Sequence, residues 1–254
     1  MLKDIIENKR KEIEASKKDF PLDSFKNKLE KSAKDFKKAL SKNKLNLIAE
    51  FKRSSPSKNI ANKGFDIKKI IEIYNKHADC ISILTDKKFF NGSLSDLKEI
   101  SELTNLPILR KDFIIDEYQI YESRFNNADA ILLIVSALTN NQIIDYIEIA
   151  KSLGMDCIVE VHNEEELNKI INIKNIDIIG INNRNLDTLE IDTSTTLNLA
   201  DKIPNDKIII SESGISSKED LNKIKDKVNA ILVGSLFMNS DDIENEIIAL
   251  TKWP

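Results

Sequence analysis

The stretch LNLIAEFKRSSPS, residues 45–57, decides how the rest of the chain is read. In an extended chain side chains alternate faces, so Leu45, Leu47, Ala49 and Phe51 share one face while Asn46, Ile48, Glu50 and Lys52 share the other. The first face is apolar throughout. The second ends in a carboxylate and an ammonium side by side, which is costly inside a core unless both are paired or reach solvent. This is the pattern of a strand whose carboxyl end opens into a site. An ordinary buried strand emerging into water ends the same way, so the test is whether other strands repeat it.

Seven more short apolar runs follow: CISILT (80–85), PILRKD (107–112), DAILLIV (129–135), DCIVEV (156–161), DIIGIN (177–182), KIIISES (207–213) and NAILVG (229–234). Amphipathic segments separate them, and Asn163 with Glu166 and Ser216 with Glu219 have the spacing of helix capping boxes. Repeated strand-then-helix units imply parallel strands joined by crossover helices. Eight of them fit an α/β fold, the (β/α)8 TIM barrel of about 250 residues, spanning 1–254 as one domain. An open doubly wound sheet would carry a Gly-rich turn after its first strand, whereas Glu50 is followed by Lys, Arg, Ser and Pro and the whole chain has 6 glycines. Ahead of the barrel, residues 1–41 form a helical extension. Leu2, Ile5, Ile6 and Ile13 predict a helix over 2–18, and Leu22, Phe25, Leu29, Ala33, Phe36 and Leu40 predict a second over 22–40, divided from the first by Pro21.

Composition narrows the function. With 254 residues, 41% hydrophobic and 31% charged, the chain is far from disordered, and a net charge of -4 disfavours a nucleic-acid surface. No apolar run approaches membrane-spanning length, and MLKDIIENKRKEIE lacks the apolar core of a signal peptide, so a cytoplasmic protein without a membrane partner is expected. Cys80 and Cys157 each open an apolar run and read as reduced core residues. Neither His77 nor His162 has metal-ligand spacing to them, so no metal is expected.

A barrel carries its chemistry at the carboxyl ends of its strands. Those ends turn polar repeatedly along one face: Leu109, Lys111; Ile158, Glu160, His162; Ile178, Gly180, Asn182, Arg184; Ile208, Ile210, Glu212. Solvent beginning at one strand end explains any one of these, but Glu50, Lys52, Lys111, Glu160, Asn182 and Glu212 together describe a pocket of alternating charge. His162, at a strand end before a helix cap, reads as a loop residue and is set aside. The last two strand ends, SESGISS (211–217) and LVGS (232–235), place small residues at turns into helices, where backbone N–H groups attract an anion. Gly214 and Gly234, with Ser213 and Ser235, fit the phosphate site that many barrels build after strands seven and eight.

From LKDIIENKRKEIE through IAEFKRSSPS, LTDKKFFNGS, PILRKDFIID, DAILLIVSAL, VEVHNEEEL, GINNRNL and SESGI, the chain resembles the indole-3-glycerol-phosphate synthase family of tryptophan biosynthesis over essentially its whole length. The resemblance implies a carboxy-lyase that needs no cofactor. Its phosphorylated substrate, an anthranilate ring on a deoxyribulose phosphate, closes to an indole with loss of carbon dioxide and water. It also implies roles. Lys111 is the general acid for ring closure, kept charged by Glu50; Lys52 meets the substrate carboxylate and acts as an acid in dehydration; Glu160 is the partner base. Asn182, Arg184 and Glu212 orient sugar hydroxyls and the developing indole. Ser55, Ser213, Gly214, Gly234 and Ser235 resemble the phosphate site, and Phe90 and Phe113 are walls for the aromatic ring.

Three positions depart from the family pattern: Asn59 where Gly is usual, Leu236 where a small hydroxyl residue is common, and Asn185 where an acid is usual. Asn59 tolerates left-handed backbone angles, Leu236 loses a side-chain contact, and Asn185 removes a helper of Arg184. A monomer is expected, with association with other tryptophan-pathway enzymes possible. Two other functions fit a phosphate-binding barrel. Phosphoribosylanthranilate isomerase would work through a Cys and an Asp rather than paired lysines, and a non-catalytic subunit would have lost its charged mouth.

Overall fold

Inward and outward faces alternate along the first strand as its sequence requires. In the computed structural model, which describes residues 1–54, 66–186 and 188–251, Leu47, Ala49 and Phe51 join the apolar layer between sheet and helices, while Ile48 joins a second layer inside the sheet. Eight parallel strands close into a barrel in sequence order: β1 (Asn46–Phe51), β2 (Cys80–Leu84), β3 (Ile108–Lys111), β4 (Ala130–Ile134), β5 (Asp156–Val161), β6 (Ile178–Asn182), β7 (Ile208–Glu212) and β8 (Ala230–Val233). The ring is sealed where Asn46 to Ala49 of β1 pair with Ala230 to Val233 of β8. Both faces of every strand are covered, which is why these segments read as near-continuous apolar runs.

The helices are α1 (Leu2–Asp19), α2 (Phe36–Ala39), α3 (Ile67–His77), α4 (Lys87–Phe90), α5 (Leu94–Leu103), α6 (Glu117–Phe125), α7 (Asn140–Ser152), α8 (Glu164–Ile170), α9 (Ser194–Ala200), α10 (Lys218–Ile224), α11 (Ser235–Asn239) and α12 (Ile243–Thr251). None of the helices among the described residues is long and apolar enough to cross a membrane. The capping signals hold in part. Asn163 caps α8 through the Glu166 amide, but the Glu166 carboxylate reaches one residue further back, to the His162 amide. The second cap lies one position beyond expectation, with Ser217 accepting from the Asp220 amide and Asp220 accepting from the Ser216 amide. Ser217 is extended while Lys218 is the first helical residue, and this backbone geometry decides between two adjacent serines.

The extension departs from its predicted form. α1 is present, but residues 22–40 are not one helix: two short 3-10 turns, Leu22–Ser24 and Lys26–Lys28, are followed by an irregular stretch and then α2. Tertiary bonds override the helical spacing here. The Ser32 amide donates to the Leu153 carbonyl and its hydroxyl to Asp129, and the Asp35 side chain starts α2 by capping Lys38. The apolar residues are still used, at separate places. Phe25 stacks on Phe20 and meets Tyr118 of α6 edge-on, while Phe36 and Leu40 share a cluster with Cys80, Ala130, Ile208 and Ala230, the first residues of their strands. The extension therefore runs down one flank of the barrel and covers its amino-terminal end. Cys80 and Cys157 are free and buried.

At the opposite end, α1 is tied in by charge. Lys9 is buried and its ammonium lies 2.8 Å from Asp86 and 2.9 Å from Asp112, the residues following β2 and β3. Asp112 also pairs with Arg110, whose guanidinium reaches Glu122 of α6. Burial would raise the Asp112 pKa, but Lys9 and Arg110 outweigh it and hold it well below the usual carboxylate range.

Candidate active site

A cavity of about 880 Å³ opens at the carboxyl ends of the strands, where parity along each strand aims its last polar residue inward. Glu50, Lys52, Lys111, Glu160, Asn182 and Arg184 line it, from β1, β3, β5, β6 and the residues just beyond. Glu50 bridges both lysines: one carboxylate oxygen is 2.8 Å from the Lys52 ammonium and the other 3.5 Å from that of Lys111. The Lys111 ammonium donates to Glu212 at 2.6 Å. Burial alone would lower the Lys111 pKa, but Glu212, Glu50 and Glu160 outweigh it and raise it strongly, so Lys111 rests as an ammonium. Glu50 is also buried, and the two lysines hold its pKa below the ordinary value.

Glu212 is 0% exposed and sits beneath the cavity instead of lining it. Burial, reinforced by Glu160 and Glu50, pushes its pKa up to about 7 against the pull of Lys111, and its Oε1 has no hydrogen-bond partner. In the structure its contact is with Lys111. Two glycines make room for these carboxylates. A Cβ on Gly180 would collide with Glu212 Oε1, and one on Gly234 would lie 2.8 Å from Glu50 Cβ. Gly234 therefore serves close approach to Glu50, a reason different from the anion turn for which the sequence suggested it.

The remaining predicted residues divide between opposite sides of the mouth. Phe90 and Phe113 line the cavity beside β2 and β3 with ring centroids 6.3 Å apart. Ser213 and Gly214 after β7, and Gly234 and Ser235 after β8, line it at the other strands. Ser213 and Gly214 both have left-handed backbones, φ 66° and 81°, and the Ser213 carbonyl accepts from Asn183. A side chain at Gly214 would meet Ile191 and Thr193. Leu236 also lines the cavity. Asn185 accepts from the Thr188 amide and organises the turn over which Arg184 donates to the Leu189 carbonyl. Ser55 and Asn59 lie outside the described residues.

Sequence reasoning passed over two features. His162, set aside as a loop residue, lies partly buried beside Glu160, on whose strand face it falls by parity. Lys9 falls four residues after Ile5 and four before Ile13, on the buried stripe of α1, and that spacing was its signal.

The family model for indole-3-glycerol phosphate synthase matches residues 2–250. The indole-3-glycerol phosphate synthase of Caldanaerobacter subterraneus subsp. tengcongensis is 47% identical over 185 residues, 72% of each chain, and that of Acetivibrio thermocellus is 46% identical over 190 residues, 74% and 73%. The tryptophan biosynthesis protein TrpCF of Buchnera aphidicola is 44% identical over 248 residues, which are 97% of this chain and 53% of that one. Among solved structures, 3-hexulose-6-phosphate synthase from Salmonella typhimurium superposes with a TM-score of 0.63 at 15% identity, over 81% of this chain and 96% of that one. A mutant tryptophan synthase alpha-subunit from Pyrococcus furiosus superposes at 0.59 and 14%, over 81% and 97%. These structures share the barrel, whereas the sequence matches run through the strand ends that build the charged mouth, and the chain belongs to the indole-3-glycerol phosphate synthase family.

Proposed function

We propose that the charged mouth closes the indole ring through Lys111 as general acid, with Lys52 and Glu160 completing the proton steps. The overall activity is that of the family: a carboxy-lyase of tryptophan biosynthesis converting 1-(2-carboxyphenylamino)-1-deoxyribulose 5-phosphate to indole-3-glycerol phosphate. The observation that carries the residue assignment is one ammonium, Lys111, held among three carboxylates on three different strands.

The ring carbon bearing the carboxylate attacks the ketone carbon, and the electron pair of the C=O bond moves to oxygen. Lys111 supplies a proton there, which is favourable because an alkoxide is a far stronger base than the amine left behind. Carbon dioxide then leaves, and its bonding pair restores the aromatic ring. Lys52 faces the departing carboxylate as a counter-charge and gives a proton to the hydroxyl as water leaves. Glu160 takes a proton from the methylene carbon beside the nitrogen in the newly closed ring, and the freed pair forms the C=C bond that completes the indole. Glu212 and Glu50 keep Lys111 charged and aimed, and Asn182 and Arg184 orient the sugar. Phe90 and Phe113 flank the aromatic ring while the turns at Ser213–Gly214 and Gly234–Ser235 hold the phosphate; Ser55 belongs to the same phosphate set by resemblance. No step draws on a cofactor or a metal.

An isomerase is not favoured, since Cys80 and Cys157 lie in apolar clusters away from the mouth. A single chain brings these charged groups together, which supports action as a monomer. The longer TrpCF relative supports association with other tryptophan-pathway enzymes, and the pathway itself supports a cytoplasmic location. Purified protein mixed with the carboxyphenylamino deoxyribulose phosphate alone should develop indole absorbance and fluorescence. Well-folded protein that gives no signal rejects the reading.

A further inference from the structure

His162 lies between two carboxylates. Its Nε2 is 3.2 Å from Glu160 Oε1 at the end of β5, and its Nδ1 is 3.0 Å from Glu166 Oε2 in the first turn of α8. The side chain is 9% exposed, so water cannot supply the alternative partners. A neutral imidazole has one ring N–H and one lone pair, and facing two carboxylates it would turn that lone pair against oxygen. With protons on both nitrogens the ring hydrogen-bonds Glu166 through Nδ1 and faces Glu160 as an ion pair through Nε2. Glu166 is itself fixed: Oε2 also accepts from the His162 amide at 2.9 Å and Oε1 from the Asn163 side chain at 3.2 Å. The row Glu166, His162, Glu160 thus runs from a helix terminus to the cavity.

We propose that His162, as an imidazolium anchored by Glu166, is a positioning residue that fixes and charges the Glu160 carboxylate for its proton step. This rests on the assignment of Glu160 as the base. Charged neighbours reach Glu160 from other directions as well: Lys111 on β3, which favours the ionised carboxylate, and Glu212 on β7, which opposes it. Asn182 on β6 adds a neutral donor. Glu160 Oε2 and His162 Nε2 are both buried without a hydrogen-bond partner, so it is charge at 3.2 Å, not a directed hydrogen bond, that ties His162 to Glu160. Burial would lower the pKa of His162, but Glu160 and Glu166 outweigh it and raise it to about 10, so the imidazolium persists through neutral pH.

The test compares His162→Ala, Glu166→Gln and Glu160→Gln by the pH profile of kcat, with KM and melting temperature measured alongside. Loss of an adjacent opposite charge raises a carboxyl pKa by roughly 1–3 units, so the acid limb of kcat should move up by that amount in His162→Ala. The loss of kcat should therefore be largest on the acid side of that limb and small at pH 7, with KM within about threefold. Glu166→Gln keeps the side-chain size and should move the same limb in the same direction, which decides the matter if His162→Ala does not fold. An unmoved limb in both folded variants, with Glu160→Gln inactive, overturns the role of His162. Full activity in Glu160→Gln overturns the assignment of the base instead.

Discussion

Lys111 donates to Glu212 at 2.6 Å, and that carboxylate is completely buried beneath it. The Lys111 ammonium is thus held from below by a fully buried carboxylate and from the side by Glu50 at 3.5 Å. Its position is set by two strands besides its own. Glu212→Gln removes the nearer charge while keeping the shape. A hydrogen bond to a charged group is worth about 1.5–3 kcal/mol, so kcat should fall roughly 10- to 150-fold with little change in KM. Steady-state kinetics by indole fluorescence measures this, and an unchanged kcat would show that Glu212 is only a core residue.

Lys9 makes a prediction about stability. Lys9→Met leaves Asp86 without its ammonium and Asp112 with Arg110 as its remaining cation, and breaking a buried pair in this way costs about 3–5 kcal/mol. The pH dependence has a defined sign. Asp112 is depressed when folded, so its contribution is present above the unfolded value of about 3.9 and is lost as pH falls through that value toward the folded one. Melting temperatures from pH 3 to 7 should be lower in Lys9→Met and should fall less steeply on acidification. Parallel curves would remove Lys9 from that role.

Gly234 tests the packing around Glu50. A methyl group there would press on the Glu50 side chain, 2.8 Å from its Cβ and 3.0 Å from its Cδ, and would push the carboxylate away from both lysines. Misplacing a catalytic group by about 1 Å costs roughly a hundredfold, so Gly234→Ala should lose that much kcat while melting changes little. Equal losses of melting temperature and activity would point to a general distortion of β8.

How much could be read beforehand follows from which forces act locally. The eight strands and the inward-facing Glu50, Lys52, Lys111, Glu160 and Asn182 were legible because strand parity is a local rule and buried parallel strands leave apolar runs. The breakdown of residues 22–40 was not, because its cause is a bond from Ser32 to Leu153, far away in sequence. The helix start at Ser217 was missed by one residue, since two adjacent serines offer the same cap chemistry. Glu212 was placed at the mouth by parity, but its depth depends on the absence of a side chain at Gly180. His162 was passed over although it shares parity with Glu160 and precedes Glu166 by four residues. The pairing across the β5–α8 turn appears only in three dimensions.

The central claim is that the ammonium of Lys111 performs a proton transfer and does not merely hold the ligand. Turnover of the carboxyphenylamino deoxyribulose phosphate by Lys111→Ala, together with its affinity for indole-3-glycerol phosphate, tests this most directly. The account predicts a loss of kcat of at least about 10²–10⁴-fold with product affinity largely retained. Near-normal turnover in the folded variant would contradict it.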